Sequence, residues 1–129
     1  MRTTRTFTQD IIHKELSYLL FGIFYKTHDV LGRFSREKQY CDLIEKFLKE
    51  KGILYEREKK LSFAGDDRHR ADFIVDGKVI IEVKAKSFVG REEYYQLLRY
   101  LELAKLKLGV LVNFRQKYLR PKRILNSQL

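Results

Sequence analysis

Three charged residues stand within or beside two neighbouring apolar runs of the sequence. Glu82 and Lys84 lie two positions apart in the run Val-Ile-Ile-Glu-Val-Lys, and Asp72 precedes Phe-Ile-Val ten residues before Glu82. Residues two apart in a β-strand point to the same face, so the Glu82 carboxylate and the Lys84 ammonium would lie side by side. Converging carboxylates beside an ammonium can hold a hard divalent cation. The alternative is that Glu82 and Lys84 only form the solvent face of an antiparallel strand.

The residue types indicate which metal such a site would take. Mg²⁺ or Mn²⁺ fits better than Zn²⁺, because no His or Cys in ligand spacing accompanies the carboxylates. The metal would polarise a phosphoryl oxygen and acidify a water molecule. Lys84 would then orient that water or neutralise the charge that builds on phosphorus.

The face that Asp72 occupies depends on the turn that follows it. The dipeptide Asp76-Gly77 between two apolar runs is a strong hairpin signal. A two-residue turn there would pair Asp72 with Ile81. Asp72 and Glu82 would then point to opposite faces of the sheet.

A three-residue loop over residues 75–77, with Gly77 in the left-handed conformation, gives a different register. It pairs Asp72 with Ile80, so Asp72 lies diagonal to Glu82 on the same face. The hydrophobic pattern favours this register, because the two-residue turn would drive Asp72 into the core. We therefore predict the three-residue loop.

The spacing of apolar residues predicts three helices and four strands in one domain, 1–129. The predicted helices cover residues 8–31, 36–51 and 92–107, and the predicted strands cover residues 53–63, 71–75, 78–85 and 110–114. The order α-α-β-β-β-α-β indicates an α/β fold with a mixed β-sheet flanked by helices. Residues 115–129 are predicted to be a short basic C-terminal tail.

The charge of the chain points to a polyanionic partner. Its 27 Lys and Arg against 17 Asp and Glu leave a formal net charge of +10, which favours nucleic acid. Part of the excess lies in a run without acidic residues, formed by Arg115, Lys117, Arg120, Lys122 and Arg123. This run is either a solvated end or a strip that follows phosphates, and we favour the strip.

Composition also bounds the cellular setting. The lone cysteine, Cys41, forbids an internal disulfide and points to a reducing compartment. No apolar run approaches the roughly 18 residues that a membrane helix needs, and the amino-terminal residues lack the apolar stretch of a signal peptide. We expect a soluble cytoplasmic protein.

Asp72, followed by Glu82-Val83-Lys84 across a hairpin, resembles the signature of the PD-(D/E)XK nuclease superfamily. From about residue 11 to 114 the similarity extends to its small GxxExxY branch. The matching elements are, in order, His28-Asp29-Val30-Leu31-Gly32, Glu37-Lys38-Gln39-Tyr40, Arg70-Ala71-Asp72, Gln96-Leu97-Leu98-Arg99-Tyr100 and Gly109-Val110-Leu111-Val112-Asn113-Phe114. The chain departs from the pattern at Phe34, where a Gly is expected, and at Ala71, where Pro is usual.

The resemblance implies a restriction-endonuclease-like fold and a Mg²⁺- or Mn²⁺-dependent deoxyribonuclease. Asp72 and Glu82 would be metal ligands, and Lys84 would be catalytic. Glu37 would be an additional acidic residue that assists metal or water. The alternative for Glu37 is that it only complements the dipole at the start of its helix.

The resemblance also implies residues that contact nucleic acid. Gln96 and Tyr100 lie one helical turn apart and would touch the metal site or the nucleic-acid backbone. From the sequence alone, Tyr100 could instead be a core residue. Arg70 shares the face of Asp72 and could pair with it or contact a phosphate.

These inferences lead to one functional hypothesis and one alternative. The chain is expected to hydrolyse phosphodiester bonds, in DNA rather than RNA, and structure-selectively or nonspecifically because it has no separate specificity domain. The alternative is a non-catalytic, nuclease-like module that binds nucleic acid. Because one small domain presents only one cleavage centre, a homodimer is compatible with the first hypothesis.

Overall fold

A computed structural model describes residues 11–61 and 69–127, which form a five-stranded sheet with helices packed on its faces. The helices are α1 (Lys14–Leu31), α2 (Glu37–Glu50) and α3 (Arg91–Ala104), and the strands are β1 (Tyr55–Lys60), β2 (Arg70–Val75), β3 (Val79–Lys84), β4 (Leu108–Asn113) and β5 (Lys122–Leu125).

The strands follow one another across the sheet in chain order. Strands β1, β2 and β3 form an antiparallel meander, β4 pairs in parallel with β3, and β5 pairs antiparallel with β4. A parallel pair needs a crossover connection, and α3 supplies it. This mixed sheet flanked by helices confirms the predicted restriction-endonuclease-like α/β fold.

The predicted order α-α-β-β-β-α-β is confirmed for the first seven elements, with bounds shifted by a few residues. Residues 8–10 of the predicted first helix and residues 62–63 of the predicted first strand lie outside the described part. Within that part, α1 begins at Lys14 and β1 covers Tyr55–Lys60.

Strand β5 is not among the predicted elements, so the description of residues 115–129 as a tail is corrected. The strand pairs with β4, and its Ile124 lies opposite Gly109 and is buried. Four residues with one buried apolar side chain carry too little periodicity to identify a strand from sequence.

The residues of β3 alternate between two hydrophobic clusters. Val79, Ile81 and Val83 belong to the cluster under α1 and α2. Ile80 belongs to the cluster under α3. Because side chains alternate with a period of two, Glu82 follows Ile80 onto the α3 face. The strand is therefore buried on both sides, and its carboxylate points into a covered layer.

Helix α3 lies unusually close to β4 at Gly109. A Cβ atom added there would lie 2.9 Å from side-chain atoms of Leu97, which is fully buried on α3. The missing side chain lets the helix approach the sheet. This close approach holds the neighbouring Gln96 above the end of β3 that carries the charged residues.

Cys41 is buried on α2, and burial raises the pKa of its thiol to about 12, as for an inert small hydrophobe. No helix among the described residues is long and apolar enough to cross a membrane.

Candidate metal centre

The β2–β3 hairpin sets the relative positions of the two carboxylates. Its ladder pairs Val75 with Val79, so three residues, 76–78, form the loop. Residues 76 and 77 are both left-handed, with φ of 53° and 62°, as in a type I′ turn. Continued along the strands, this register places Asp72 directly opposite Glu82.

The predicted loop length and the shared face of the carboxylates are confirmed, but the predicted register is wrong by two residues. A loop over residues 75–77 would have paired Asp72 with Ile80. Because Asp76 adopts the left-handed conformation as well, the extra residue is Lys78. The carboxylates therefore oppose each other directly rather than diagonally.

Beyond the Phe73–Ile81 pair, the two carboxylates replace the backbone ladder between β2 and β3. The Asp72 backbone N–H donates to Oε2 of Glu82 at 2.8 Å, and the Val83 backbone N–H donates to Oδ2 of Asp72 at 2.7 Å. Each side chain thus reaches across to the backbone of the opposite strand. These bonds hold both carboxylates in fixed positions.

Burial makes the ionised form of this pair unfavourable. The Glu82 side chain is 4% exposed, and burial together with the charge of Asp72 raises its pKa to about 8. Burial also raises the pKa of Asp72, although the Val83 N–H opposes that shift. Near neutral pH, the pair without a cation therefore retains a proton that exposed carboxylates would have lost.

The free oxygens of the pair fit a hard divalent cation. Within residues 11–61 and 69–127, Oδ1 of Asp72 and Oε1 of Glu82 receive no hydrogen bond. Among the same residues, no three His, Cys, Asp or Glu side chains lie together in a group that could hold a metal. Mg²⁺ is commonly held by one or two carboxylates and keeps several water ligands, so two carboxylates suffice.

Lys84 lies beside the pair and is held by α3. Its Nζ donates to Oε1 of Gln96 at 3.4 Å, and its charge lowers the pKa of both carboxylates. Gln96 thus contacts the ammonium group of Lys84, and its predicted contact with the metal site or the nucleic-acid backbone stays a prediction. Lys84 sits where it can act on a group bound at the carboxylates.

Tyr100 is a core residue rather than a surface contact. Its side chain is 3% exposed and packs in the cluster under α3. The predicted contact with a nucleic-acid backbone is corrected to the core alternative, because little of the ring is accessible. Burial, followed by the charges of Glu82 and Asp72, raises the pKa of its hydroxyl, so it lies near the carboxylates.

Glu37 and Arg70 lie on the rim of a cleft beside Asp72. The cleft has a volume of about 510 Å³, and Glu37, Arg70 and Asp72 all line it. Glu37 is the exposed first residue of α2, and its charge contributes to the raised pKa values of Asp72 and Glu82. The structure thus brings Glu37 near the pair without making it part of a three-residue cluster.

The basic residues of the C-terminal segment do not form one uniform strip. Arg123 turns inward: its guanidinium donates to Oγ of Ser17 at 3.1 Å and to the Ile12 carbonyl at 2.6 Å. The predicted phosphate contact of Arg123 is therefore corrected to an internal one, which ties β5 to the start of α1.

Arg115 has a mixed role, and the other basic residues of the segment stay exposed. Arg115 donates to the Arg33 and Ala85 carbonyls at 3.0 and 3.1 Å. The exposed residues are Lys117, Arg120 and Lys122. These three keep their charge available at the surface.

Asn113 was not singled out as a site residue, but the structure gives it a central position. It lies beside Lys84 in the β3–β4 ladder. Its Nδ2 donates to the Lys86 carbonyl at 2.8 Å, and its Oδ1 accepts the backbone N–H groups of Lys86 and Arg115 at 3.2 Å. A polar residue inside an apolar strand was the signal that could have identified it.

Comparison with known families agrees with this geometry. The family model of the PD-(D/E)XK nuclease superfamily matches residues 14–124, which covers all the described helices and strands except the last residue of β5. The chain belongs to the PD-(D/E)XK nuclease superfamily. Searches among curated proteins and among solved structures gave no match.

Membership explains why the charged residues stand in an apolar hairpin. Asp72 and the run Glu82-Val83-Lys84, which resemble the aspartate and the acid-x-lysine element of the superfamily signature, both lie within the matched residues. Nucleases of this superfamily are in general hydrolytic and typically use divalent metals such as Mg²⁺. The narrower similarity to the GxxExxY branch stays a prediction.

Proposed function

We propose that this PD-(D/E)XK domain is a metal-dependent nuclease that hydrolyses phosphodiester bonds in DNA. The observation that carries the proposal is the opposed pair Asp72 and Glu82. Both carboxylates are buried to different degrees, fixed by backbone N–H groups, and accompanied by an ammonium held in place by a glutamine. If Asp72 and Glu82 served only to stabilise the fold, we would expect a neighbouring Lys or Arg to neutralise them fully.

Each residue of the centre has a proposed role. Asp72 and Glu82 hold Mg²⁺ or Mn²⁺ through their free oxygens. When bound, the metal polarises a phosphoryl oxygen and acidifies a water molecule. Lys84 orients that water or stabilises the charge that develops on phosphorus, and Gln96 keeps the ammonium pointed at the site.

The rim of the cleft contributes in a second way. Glu37 is exposed, and among the described residues it forms no three-residue metal-binding group with the pair, so we propose that it acts on a water molecule at the metal. Arg70 lines the same cleft and would contact a phosphate of the bound strand. Arg residues suit that contact because their planar donor group matches phosphate geometry.

The test is cleavage of labelled DNA and RNA, linear and branched, with Mg²⁺, Mn²⁺ or a chelator. We expect DNA cleavage that needs the metal and that Asp72→Asn and Glu82→Gln abolish. The control is Glu102→Gln, an exposed carboxylate on α3, which should cleave like the wild type. Absence of metal-dependent cleavage on every substrate, with tight binding retained, would contradict the proposal and favour the non-catalytic module.

A homodimer is part of the same proposal, because the domain has one cleavage centre. Sedimentation of the protein alone and with duplex DNA tests it. A protein that remains monomeric on a duplex while cutting both strands would contradict the dimer and leave the chemistry in place.

A further inference from the structure

Two clefts beside the candidate centre form one continuous surface. They have volumes of about 500 and 290 Å³, and both are lined by Ser87, Asn113 and Gln116. We call the two clefts together the Phe34–Phe88 surface, because one contains Phe34 and the other contains Phe88. The surface lies across the ends of β3 and β4 and the loops that follow them.

The charge of the Phe34–Phe88 surface is of one sign. Arg91, Arg120 and Lys122 line the larger cleft, and Arg33, Lys86 and Arg115 line the smaller one. No acidic residue is among the described residues that line either cleft. Glu93 is not one of the lining residues, but its Oε2 lies 2.7 Å from Nζ of Lys86. The charge of Lys86 is therefore partly neutralised. The remaining five still make a field that attracts a polyanion.

Two large aromatic rings stand exposed on this basic surface. Phe34 is 75% exposed and Phe88 is 76% exposed, although both are phenylalanines without a polar group. The guanidinium carbons of Arg33 and Arg115 lie 4.8 and 5.6 Å from the centre of the Phe34 ring. Exposing so much apolar ring costs free energy, which is recovered when a flat partner covers it.

The loops that carry the smaller cleft are held rigidly. The Nε atoms of Arg33 and Arg115 each donate to the backbone carbonyl of the other arginine, at 2.8 and 3.0 Å. Asn113 joins the loop after β3 to the loop after β4 through three hydrogen bonds. Phe34 is therefore presented on an ordered platform, so little conformational entropy is lost when a ligand covers it.

The surface also adjoins the proposed catalytic lysine. Asn113, which lines both clefts, is the ladder partner of Lys84, and paired residues of parallel strands point to the same face. A chain lying along the surface would therefore run beside the strand position that carries Lys84.

We propose that the Phe34–Phe88 surface binds a single-stranded segment of DNA, with bases stacked on the two rings and phosphates against the surrounding cations. This inference rests on the proposed function for the chemistry that follows binding, and it adds the substrate class. Alternation of cations and aromatic rings is how proteins bind single strands, because every base has a face that can stack. In an intact duplex the base faces are already stacked, so the two rings would find no partner.

The first experiment measures binding without metal, in chelator, so that cleavage does not enter. The probes are a thymidine oligonucleotide of about 12 nucleotides, its duplex with the complement, and an abasic oligonucleotide of equal length. We expect the thymidine strand to bind about 10-fold or more tightly than the abasic strand. Equal affinity for the two single strands, or tighter binding of the duplex, would overturn the proposal.

The second experiment uses variants of the two rings. Phe34→Ala and Phe88→Ala should each weaken binding of the thymidine strand by about 10-fold and leave binding of the abasic strand unchanged. The matched control is Tyr18→Ala, which removes an aromatic ring that is 80% exposed on α1, away from both clefts. An equal loss for both strands would show a general defect and contradict stacking.

A third measurement reports stacking directly. The chain contains no tryptophan, so Phe34→Trp and Phe88→Trp each create a protein with one indole. We expect these variants to bind the thymidine strand at least as well as the wild type, with emission that the strand quenches and the abasic strand does not. Unquenched emission from both variants would contradict the proposal.

These outcomes separate the two proposals. Stacking without any metal-dependent cleavage would leave the single-strand surface in place and contradict the nuclease. Metal-dependent cleavage, together with an affinity for the thymidine strand that Phe34→Ala and Phe88→Ala leave unchanged, would support the nuclease and overturn the single-strand inference.

Discussion

Two pairs of acidic side chains, in different parts of the molecule, show how neighbours decide what carboxylates do. Asp42 and Glu45 on α2 face Arg57 of β1, whose Nη1 lies 2.8 Å from Oδ1 of Asp42 and 2.9 Å from Oε1 of Glu45. Hydrogen bonds from Lys38 and Arg57 lower the pKa of Asp42, and a bond from the Tyr55 hydroxyl lowers that of Glu45. This pair is ionised and satisfied.

The hairpin pair has the opposite electrostatics. Burial raises the pKa values of Asp72 and Glu82, and the nearby Lys84 donates a hydrogen bond to Gln96. The same residue types thus form a structural ion pair in one place and a pair of carboxylates without a neutralising cation in another. A buried acidic pair that lacks its cation is a candidate for function.

The sharpest test of this difference removes the cation of each region in turn. Lys84→Ala should lower cleavage turnover by roughly 10²–10⁴-fold and change DNA binding little, because the ammonium acts on charge that develops in the transition state. Arg57→Ala should reduce thermal stability and leave turnover per folded molecule unchanged. Single-turnover kinetics and thermal melting measure the two effects.

Lys84→Arg sharpens the same prediction. A planar guanidinium cannot replace a compact ammonium in a tight site, so we expect only partial rescue. Undiminished cleavage by Lys84→Ala would show that the active centre lies on other residues.

The second prediction concerns the sign of a stability change at pH 8 without metal. Glu82→Gln should raise the free energy of unfolding by about 2 kcal/mol, because it removes a buried charge that nothing fully neutralises. Glu45→Gln should lower it by about 0.5–1 kcal/mol, because it weakens an existing ion pair. Urea unfolding of both variants beside the wild type gives the comparison. Changes of the same sign would remove the distinction between the two pairs.

The third prediction is a pH profile for the wild type. The folded-state pKa of Glu82 is about 8 and lies above its usual value of 4.5, so the folded protein binds the extra proton between these values. Stability from this group is present below about pH 4.5 and is lost as pH rises toward 8. Mg²⁺ or Mn²⁺ should remove that loss, because a cation stabilises the ionised pair.

The acidic limb of that profile reports other carboxylates. Hydrogen bonds from Lys86 and from the Gly90 backbone lower the pKa of Glu93 to about 2, and Asp42 and Glu45 shift the same way. Their contribution is present above about pH 4.5 and is lost as pH falls. Thermal melting across pH, with and without metal, tests both limbs, and a metal effect confined to the acidic limb would contradict the assignment.

The smallest effect separates paired cations from free ones in the C-terminal segment. Substituting Arg120 and Lys122 together with Ala should reduce the slope of log affinity against log salt by about 1.4 for single-stranded DNA. Arg123→Ala should instead lower stability, because it breaks the bonds to Ser17 and Ile12. Fluorescence anisotropy at several salt concentrations measures the slopes. An unchanged slope in the double variant would show that Arg120 and Lys122 are solvated and do not contact phosphates.

The shared face of Asp72 and Glu82 could be predicted from sequence, because an odd shift would have buried polar residues in the core. The actual partner of Asp72 could not, since registers two residues apart present the same faces. The conformation of Asp76 decided between them, and a single aspartate before glycine does not specify its own φ.

The roles of the basic residues could be predicted even less. Arg115, Arg120 and Arg123 look alike in sequence, but Arg123 is placed by β5, whose four residues show little pattern, and Arg115 is placed by the loop after β4. Arg33, the partner of Arg115, and Ser17, the partner of Arg123, lie 82 and 106 positions away in the chain. Long-range partners of this kind leave no local signal.

The cross-strand bonds of the carboxylates have a consequence for descendants of this protein. Asp72 and Glu82 each accept a backbone N–H of the opposite strand, so an apolar replacement would leave that donor without its acceptor, at a cost of about 1–3 kcal/mol. Asn and Gln would keep the acceptor and lose the charge. A lineage released from selection for catalysis would therefore accumulate amides at these positions sooner than alanine. Its sheet would stay intact after its catalytic activity is lost.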